Sequence, residues 1–400
     1  MNRIFILYLF FCFSCSQENN FSKINPDPKL EVLSIGDIEY FKSLNVDSLY
    51  SEMFYVIPET NDFNRIGSYD KVVIEDSLIY IMDKTFTHSV LCFDFSGKTI
   101  FKLSKLGSGP SEYREIRDFI VDVNSETLEV LDFGGRRVKK YHYKTGEYLE
   151  EIRFPSFDIS YEAFEKFGEN YVVSHGANCG FNSQCGDLSV VDSDFTNIRT
   201  YIPVDEYLNE SNYKGSNHFS RNMNVILFKE VYNDTIYKIN QATGIPEYRF
   251  IVDFDPIRMP SSIRFSSEIR DFGELSRKAL DQNFSWGIHS FFQAGNYLFF
   301  YYEGRALTNV IYNLKRNKGY RFDVPTTRNG NLFLTGRVVG AYGEYFVSFQ
   351  DSENISRYAR GFFGKDSVIL RSEYPKMYEL MKNVQSGDNG ILTFFKIDIK

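Results

Sequence analysis

Leu106-Gly-Ser-Gly-Pro-Ser-Glu-Tyr113 separates two strand-like runs of this 400-residue chain. The run before it, residues 90–103, holds two apolar segments joined by Ser96-Gly97, and the run after it is residues 118–122. Two glycines and one proline within four residues cannot continue a strand. The stretch is therefore predicted to connect two separate sheets.

Six of the eleven prolines recur in the same context, each closing an apolar strand or the turn that follows it. They are Pro58, Pro110, Pro155, Pro203, Pro256 and Pro325, at spacings of 52, 45, 48, 53 and 69 residues. Because proline lacks the amide donor that a further ladder bond needs, it suits the exit of an outer strand. A repeat of this length, with about four short strands in each unit, is typical of a β-propeller rather than a sandwich.

The longest of these intervals is predicted to contain a helical insertion at about residues 261–282. Its apolar residues at helical spacing are Phe265, Ile269, Phe272, Leu275 and Ala279, with Ser266 and Ser267 as candidate caps. A second helical stretch is predicted after Pro375, a residue that suits the first turn of a helix. Its apolar residues are Met377, Leu380, Met381 and Val384. Packing of both helices against the sheets is favoured over a mobile lid.

The two ends of the chain are predicted to complete one blade together. The strand at residues 53–57 has no inner strands before it, and the strand at residues 391–399 has no outer strand after it. Pairing the two would close the ring and remove exposed sheet edges. We therefore predict one all-β domain at residues 31–400, a six-bladed β-propeller with four-stranded antiparallel blades. Its sixth blade would comprise residues 338–399 and the amino-terminal strand.

Composition agrees with a sheet protein and argues against one class of partner. The chain has 39 Phe and 28 Tyr but a single Trp, Trp286, and aromatic residues fit pleated sheets. The net charge of −8 disfavours a nucleic-acid binder, which usually carries a basic surface. One basic cluster, residues 136–140, follows the turn Gly134-Gly135. A solvated hairpin is favoured there over an anion site.

The amino terminus has the sequence pattern of an export signal. A short positive start is followed by an unbroken apolar run at residues 4–13, which has the length of a secretory signal but is too short for a stable membrane span. Ser14-Cys15, directly after this run, resembles the lipobox of bacterial lipoproteins. That resemblance implies a signal peptide at residues 1–14 and acylation of Cys15. The alternative is ordinary signal cleavage with an unmodified Cys15.

The residues after Cys15 are predicted to form a polar tether that reaches to about residue 30. The residue after Cys15 is Ser16 rather than an aspartate, and in this position the chain resembles lipoproteins sent to the outer membrane. We therefore expect an exported protein, lipid-anchored in the outer membrane on its periplasmic face or at the cell surface.

Apart from Cys12 and Cys15 near the amino terminus, the cysteines are Cys92, Cys179 and Cys185. Cys92 lies in a strand pattern and is predicted to be a small core residue. Cys179 and Cys185 share a short loop, where a local disulfide suits an exported protein. Free thiols are one alternative, and a metal site with His175 is another, although a fourth ligand is not evident.

Several segments together resemble one protein family. They are residues 93–98 followed by residues 107–113, residues 57–60 leading into residues 66–71, and Asn233-Asp-Thr-Ile-Tyr237. In these segments the chain resembles the six-bladed β-propeller lipoproteins of Bacteroides-type bacteria, relatives of the NHL-repeat proteins. The likeness extends over nearly all of the mature chain. It implies an exported, anchored propeller and assigns no settled activity.

The sequence contains no nucleophile elbow, phosphate-binding loop, His-Glu-x-x-His or paired Cys-x-x-Cys motif. The five histidines, His88, His142, His175, His218 and His289, are expected in different blades, so a propeller could still gather some of them at its channel. Glu112, Arg114 and Asp118 lie at a predicted blade junction, where salt bridges or turn caps are favoured over catalysis.

Two classes of function remain. The first is a non-catalytic binding or scaffold module of the cell envelope, with a glycan, peptide or protein as its partner. The second is a propeller enzyme, a lyase or hydrolase, with a site in the central channel. We expect a monomer that binds the membrane through its lipid and binds no nucleic acid, and we predict no cofactor and no metal.

Overall fold

The fold was analysed in a computed structural model. It describes residues 21–155, 161–176, 186–203, 218–230, 233–264, 266, 269, 272–285, 287–304, 307–326, 336–363, 367–373 and 375–399. The predictions for Cys15, Cys179 and Cys185, and for the insertion residues Phe265 and Ser267, lie outside these residues.

Short strands account for most of the described chain. Three strands precede the first blade: β1 (Asn25–Ser34), β2 (Glu39–Asn45) and β3 (Tyr50–Val56), with a 3₁₀ turn at Ile35–Asp37. Blade 1 contains β4 (Lys71–Glu75), β5 (Leu78–Asp83), β6 (Ser89–Asp94) and β7 (Thr99–Leu103). Blade 2 contains β8 (Ile116–Asp122), β9 (Thr127–Asp132), β10 (Arg137–His142) and β11 (Tyr148–Arg153). Blade 3 contains β12 (Ala163–Phe167), β13 (Asn170–Ser174), β14 (Gly186–Val191) and β15 (Ile198–Pro203).

The second half of the chain continues the same order. Blade 4 contains β16 (Phe219–Asn222), β17 (Val225–Lys229), β18 (Thr235–Ile239) and β19 (Pro246–Asp253). Blade 5 contains β20 (Gly287–Ala294), β21 (Tyr297–Glu303), β22 (Leu307–Asn313) and β23 (Lys318–Thr326). Blade 6 contains β24 (Arg337–Tyr342), β25 (Tyr345–Gln350), β26 (Ile391–Ile397) and β3.

The predicted six-bladed propeller is confirmed. Each blade is an antiparallel meander, and the first strands of successive blades contact one another around the axis. β26 pairs with β3, from Leu392 opposite Val56 to Ile397 opposite Tyr50, so the two ends of the chain close the ring as predicted. Each of the six regularly spaced prolines lies in or soon after the outer strand of a blade.

Among the described residues, a cluster of buried apolar side chains lies at each of the six interfaces between neighbouring blades and holds the blades together. Blades 1 and 2, for example, share Tyr80 and Cys92 from one side and Phe119 and Val130 from the other. Corresponding clusters join the remaining neighbours, including blades 6 and 1. The aromatic residues therefore mostly fill the spaces between twisted blades, which is the usual place of Phe and Tyr in cores.

Two blades carry a fifth strand that the sequence did not predict. β1 pairs in parallel with β19 on the outer edge of blade 4, and β2 pairs in parallel with β23 on the outer edge of blade 5. The Ser22 amide also donates to the Thr200 carbonyl of β15 in blade 3. Residues 22–45 thus follow the outer edges of three blades, and we call this segment the belt. The structure places residues 25–30, predicted as tether, in β1.

In the part of the chain that the structure describes, five short helices interrupt the strand pattern. They are α1 (Ser261–Arg264), α2 (Phe272–Gln282), α3 (Ser352–Phe363), α4 (Ser367–Glu373) and α5 (Pro375–Asn383). α1 and α2 occupy the predicted insertion, and α5 is the predicted helix after Pro375. α3 and α4 were not predicted, although Ile355, Tyr358 and Phe362 of α3 follow helical spacing. Among the described residues, no helix is long and apolar enough to cross a membrane.

The two faces of the ring differ in the length of their connections. On one face, the connections from first to second and from third to fourth strands are tight turns of two to six residues. On the other face, which we call the loop face, the connections reach 33 residues between β19 and β20 and 40 residues between β25 and β26. Long connections carry binding residues more often than tight turns do. The loop face is therefore where a functional site is expected.

Candidate functional site

A cavity of about 700 Å³ lies on the propeller axis. First strands supply much of its wall, including Lys71, Arg117, Glu165 and Arg221, and it reaches the loop face beside His218. We call it the channel cavity. Its volume falls within the range of small-molecule sites.

Ion pairs between blades organise the wall of the channel cavity. The Lys71 ammonium lies 2.9 Å from Asp118 Oδ1 and 3.6 Å from Glu165 Oε1. Asp118 Oδ2 in turn accepts a hydrogen bond from the Phe164 amide at 3.0 Å, which joins blades 1, 2 and 3. Burial acts to lower the pKa of Lys71, but the two carboxylates outweigh burial and raise it. Lys71 therefore stays charged and holds the first strands in place.

Two arginines neutralise further carboxylates in this wall. The Arg221 guanidinium lies 3.1 Å from Glu165 Oε2. The Arg117 guanidinium lies 3.1 Å from Glu162 Oε2 and 2.6 Å from Glu115 Oε1. These carboxylates are therefore held by cations of the same wall.

Asn222 braces the end of the channel at the tight-turn face. Its side-chain amide donates to the carbonyls of Gln293 (2.9 Å) and Gly343 (2.8 Å), and its Oδ1 accepts from the Gly343 amide (2.8 Å). Blades 4, 5 and 6 meet through this one side chain. The first strand of blade 4 also contacts that of blade 6 directly, so blade 5 contributes little to the cavity wall.

A second group of ionisable residues lies where blades 4, 5 and 6 meet the loop face. Arg337, the first residue of β24, lines the cavity and donates to His289 Nδ1 at 3.1 Å. A guanidinium can only donate, so Nδ1 accepts and the imidazole is neutral, with its proton on Nε2. Burial, together with the charges of Arg337 and Lys229, lowers the pKa of His289 to about 4. Glu303 Oε1, 3.6 Å from Nε2, does not offset these effects.

Comparison with known proteins identifies the family. Residues 30–396 match a domain of unknown function, DUF4934. The chain belongs to this family.

This DUF4934 chain was compared with solved structures. The chain is similar to the crystal structure of a candidate exported protein from Bacteroides fragilis NCTC 9343, with a TM-score of 0.73 and 18% identity over 92% of this chain and 100% of that one. It also matches a DUF4221 family member from Bacteroides vulgatus, with a TM-score of 0.49 and 10% identity over 88% and 98% of the two chains. The first likeness supports the propeller fold. No curated protein matches the sequence.

The histidines of this DUF4934 chain are distributed over five blades, as predicted. His218 lines the channel cavity, and His289 lies beside Arg337. The His175 ring lies 3.1 Å from Ser189 Oγ inside blade 3. Within the described part of the chain, no three His, Cys, Asp or Glu residues are arranged to hold a metal ion.

The blade junction at Leu106–Tyr113 is built as a connection rather than as a site. Glu112 Oε2 accepts the Gly109 amide at 2.7 Å, the turn cap that was favoured for this residue. Asp118 forms the salt bridge with Lys71, and Arg114 contributes its backbone amide to Asp132. None of these contacts leaves Glu112 directed at the cavity.

The basic cluster at residues 136–140 is largely neutralised within blade 2. Arg137 and Lys139 both contact Glu151, at 3.0 and 2.8 Å, and Lys140 contacts Glu150 at 2.9 Å. Lys139 is fully buried, which a solvated hairpin does not explain. The cluster is therefore a structural part of the blade.

Among the cysteines, Cys92 is described, and it is the buried core residue that was predicted. Burial raises the pKa of its thiol to about 12, so it stays protonated. The lipidation of Cys15 and the pairing of Cys179 with Cys185 fall outside the described residues and stay predictions.

The sequence analysis named Asp118 and His218 but missed the other wall residues, although the repeat length contains a signal for them. Lys71, Asp118 and Glu165 follow one another at intervals of 47 residues, one blade period. Arg117 and Glu162 are 45 residues apart. Ionisable residues that recur at the blade period near the starts of first strands will meet around the channel.

Proposed function

We propose that this protein is an exported, lipid-anchored propeller that acts as a non-catalytic binding or scaffold module. Its partner would be a glycan, a peptide or a protein of the cell envelope. The ligand would enter the channel cavity from the loop face, and the lipid would be attached to Cys15.

The observation that carries this proposal is the state of the cavity wall. The cavity is large enough for a ligand and opens on the face with the long connections. Three of its acidic residues, Asp118, Glu162 and Glu165, are engaged with Lys71, Arg117 and Arg221. Carboxylates and cations arranged in such pairs suit recognition of polar ligand groups. General acid–base catalysis needs a group that can give and take a proton near the working pH. Glu75, whose pKa burial raises, is the acidic residue of the wall that the alternative, a propeller enzyme, could use.

The lipid anchor is supported by the sequence at the amino terminus, which resembles a lipoprotein signal. The described chain is attached to blade 3 from Ser22 onward. The six residues between Cys15 and Ser22 span at most about 20 Å when extended. An acylated Cys15 would thus hold the outer edge of blade 3 close to the membrane and leave the loop face accessible from the side.

The binding role can be tested by a thermal-shift screen of the chain from residue 21, with glycans, peptides and divalent metals. We expect stabilisation by a glycan or peptide that is unaffected by a chelator. Ser220→Trp, which fills the cavity, should abolish the shift, and Ser104→Trp, at an exposed position outside it, should not. A metal-specific shift that chelation abolishes would instead favour the propeller enzyme.

The anchor can be tested by labelling the full chain with palmitate in a bacterial host. Cys15→Ala should abolish incorporation, whereas Cys12→Ala should retain it. Unchanged labelling of the Cys15→Ala variant would contradict acylation at this residue.

A further inference from the structure

Arg337 differs from the other arginines of the channel cavity. Arg117 and Arg221 each hold a carboxylate, but Arg337 has no carboxylate within 4.0 Å among the described residues. Its contacts are neutral: His289 Nδ1 at 3.1 Å and Ser290 Oγ at 3.5 Å. A guanidinium has five N–H donors, and those of Arg337 are only partly used by these contacts.

Lys229 is a second cation in the same region. Its side chain is only 5% exposed, and it forms no hydrogen bond or ion pair with any described residue. Its strand β17 is bonded to the His218 carbonyl at the cavity, and its charge reaches His289. Burial lowers the pKa of Lys229 to about 8, because Asp187 and Glu303 offset only part of its desolvation. The ammonium therefore lacks the compensation that Lys71 receives.

We propose that the cavity mouth between blades 4, 5 and 6 is a subsite for an oxyanion, a carboxylate or sulfate group carried by the ligand. Arg337 would bind the oxyanion directly, because a planar guanidinium matches two oxygens at once. His289 would orient the guanidinium by accepting a hydrogen bond from it. The buried ammonium of Lys229 would make the electrostatic potential of the subsite more positive. This inference rests on the proposed binding function and narrows the ligand to an acidic glycan or a peptide with a free carboxylate.

Inorganic sulfate is a suitable probe, titrated calorimetrically into the chain from residue 21 at constant ionic strength with chloride as the balancing anion. We expect one saturable site in the wild type. Arg337→Gln should weaken it by at least about tenfold, the loss of a charge-assisted hydrogen bond. Arg199→Gln, the same substitution at an exposed position of β15, should bind like the wild type. Equal affinity in Arg337→Gln, or no saturable binding to the wild type, would overturn the subsite.

The location can be checked without a variant. Crystals soaked in selenate should show an anomalous peak within hydrogen-bonding distance of the Arg337 guanidinium, and peaks only elsewhere would reject the assignment. Equal binding of an acidic ligand from the screen to wild type and Arg337→Gln would refute the subsite and leave the binding function standing. Selenate bound at Arg337, in a chain that no glycan, peptide or protein stabilises, would support the subsite and contradict the proposed binding function.

Discussion

At the residue scale, side chains of blade 2 fix the connection between blades 1 and 2. The Tyr141 hydroxyl donates to the Ser111 carbonyl at 3.0 Å, and Lys139 Nζ donates to the Pro110 carbonyl. A Cβ at Gly107 would lie 2.1 Å from Glu112 Oε2, so a larger residue there would displace the carboxylate that caps Gly109. The Gly-Ser-Gly-Pro stretch thus depends on long-range partners as well as on its own turn residues.

Lys139→Met is expected to lower the free energy of unfolding by about 2 kcal/mol. The substitution removes one of the cations that contact Glu151 and leaves the Pro110 carbonyl without its buried donor, and both changes are costly inside a protein. Lys140→Met is the matched control, because its partner Glu150 is largely exposed, and it should change stability by less than about 0.5 kcal/mol. Denaturant melts of both variants provide the measurement. Equal melts would show that Lys139 does not stabilise the loop.

His289 is expected to make the protein less stable in mild acid. Its pKa is about 4 in the folded state but near 6.5 in the unfolded chain, so the unfolded state binds more protons between these values. Stability from this residue is therefore complete above pH 6.5 and is lost as the pH falls toward 4, by roughly 2 kcal/mol. His289→Gln keeps a hydrogen-bonding side chain but does not titrate. Melting temperatures from pH 7 to pH 4 should fall less steeply for the variant, and identical slopes would argue against a depressed pKa.

At the scale of elements, the belt protects two outer edges that would otherwise be open. β1 and β2 cover β19 and β23, and Leu33, Ile35 and Ile38 are buried in the core between blades 4 and 5. Uncovered strand edges pair readily with other chains. The belt therefore contributes both apolar burial and protection against association.

A chain that begins at residue 46 should keep the ring but lose stability and self-associate. The deletion removes three side chains that are at most 4% exposed, each worth about 1.5–3 kcal/mol on burial. Size-exclusion chromatography and thermal melts of this variant, beside a chain that begins at residue 21, provide the comparison. A monomer with an unchanged melt would mean that the belt is dispensable.

The elements also show which features the sequence could predict. Prolines mark the outer strands because the missing amide is a local property, so the blade count followed from Pro110 and its counterparts. β1 and β2 escaped prediction because a parallel edge strand is defined by a partner far away in sequence. For the same reason, the contact between Arg337 and His289, 48 residues apart, required coordinates. For the cavity wall, the sequence offered only the spacing of Lys71, Asp118 and Glu165, which equals the length of one blade.

At the scale of the whole molecule, stability depends on ring closure. Each of the six apolar clusters joins two neighbouring blades, so no blade has a complete core of its own. β26 lies between β25 and β3, and it supplies Leu392 and Phe394 to the interface of blade 6 with blade 1. The same strand supplies Phe395 and Ile397 to the interface with blade 5. One strand thus connects the amino terminus to the sheet and completes two interfaces.

Deleting residues 389–400 should therefore lower the melting temperature by more than about 10 °C, because several fully buried side chains, each worth about 1.5–3 kcal/mol, are lost together. A synthetic peptide of residues 389–400, added to the truncated chain, should restore much of the loss by taking the place of β26, and a scrambled peptide should not. Differential scanning calorimetry of the three samples measures both effects. A truncated chain that melts within about 2 °C of the full chain would show that the ring is stable without this strand.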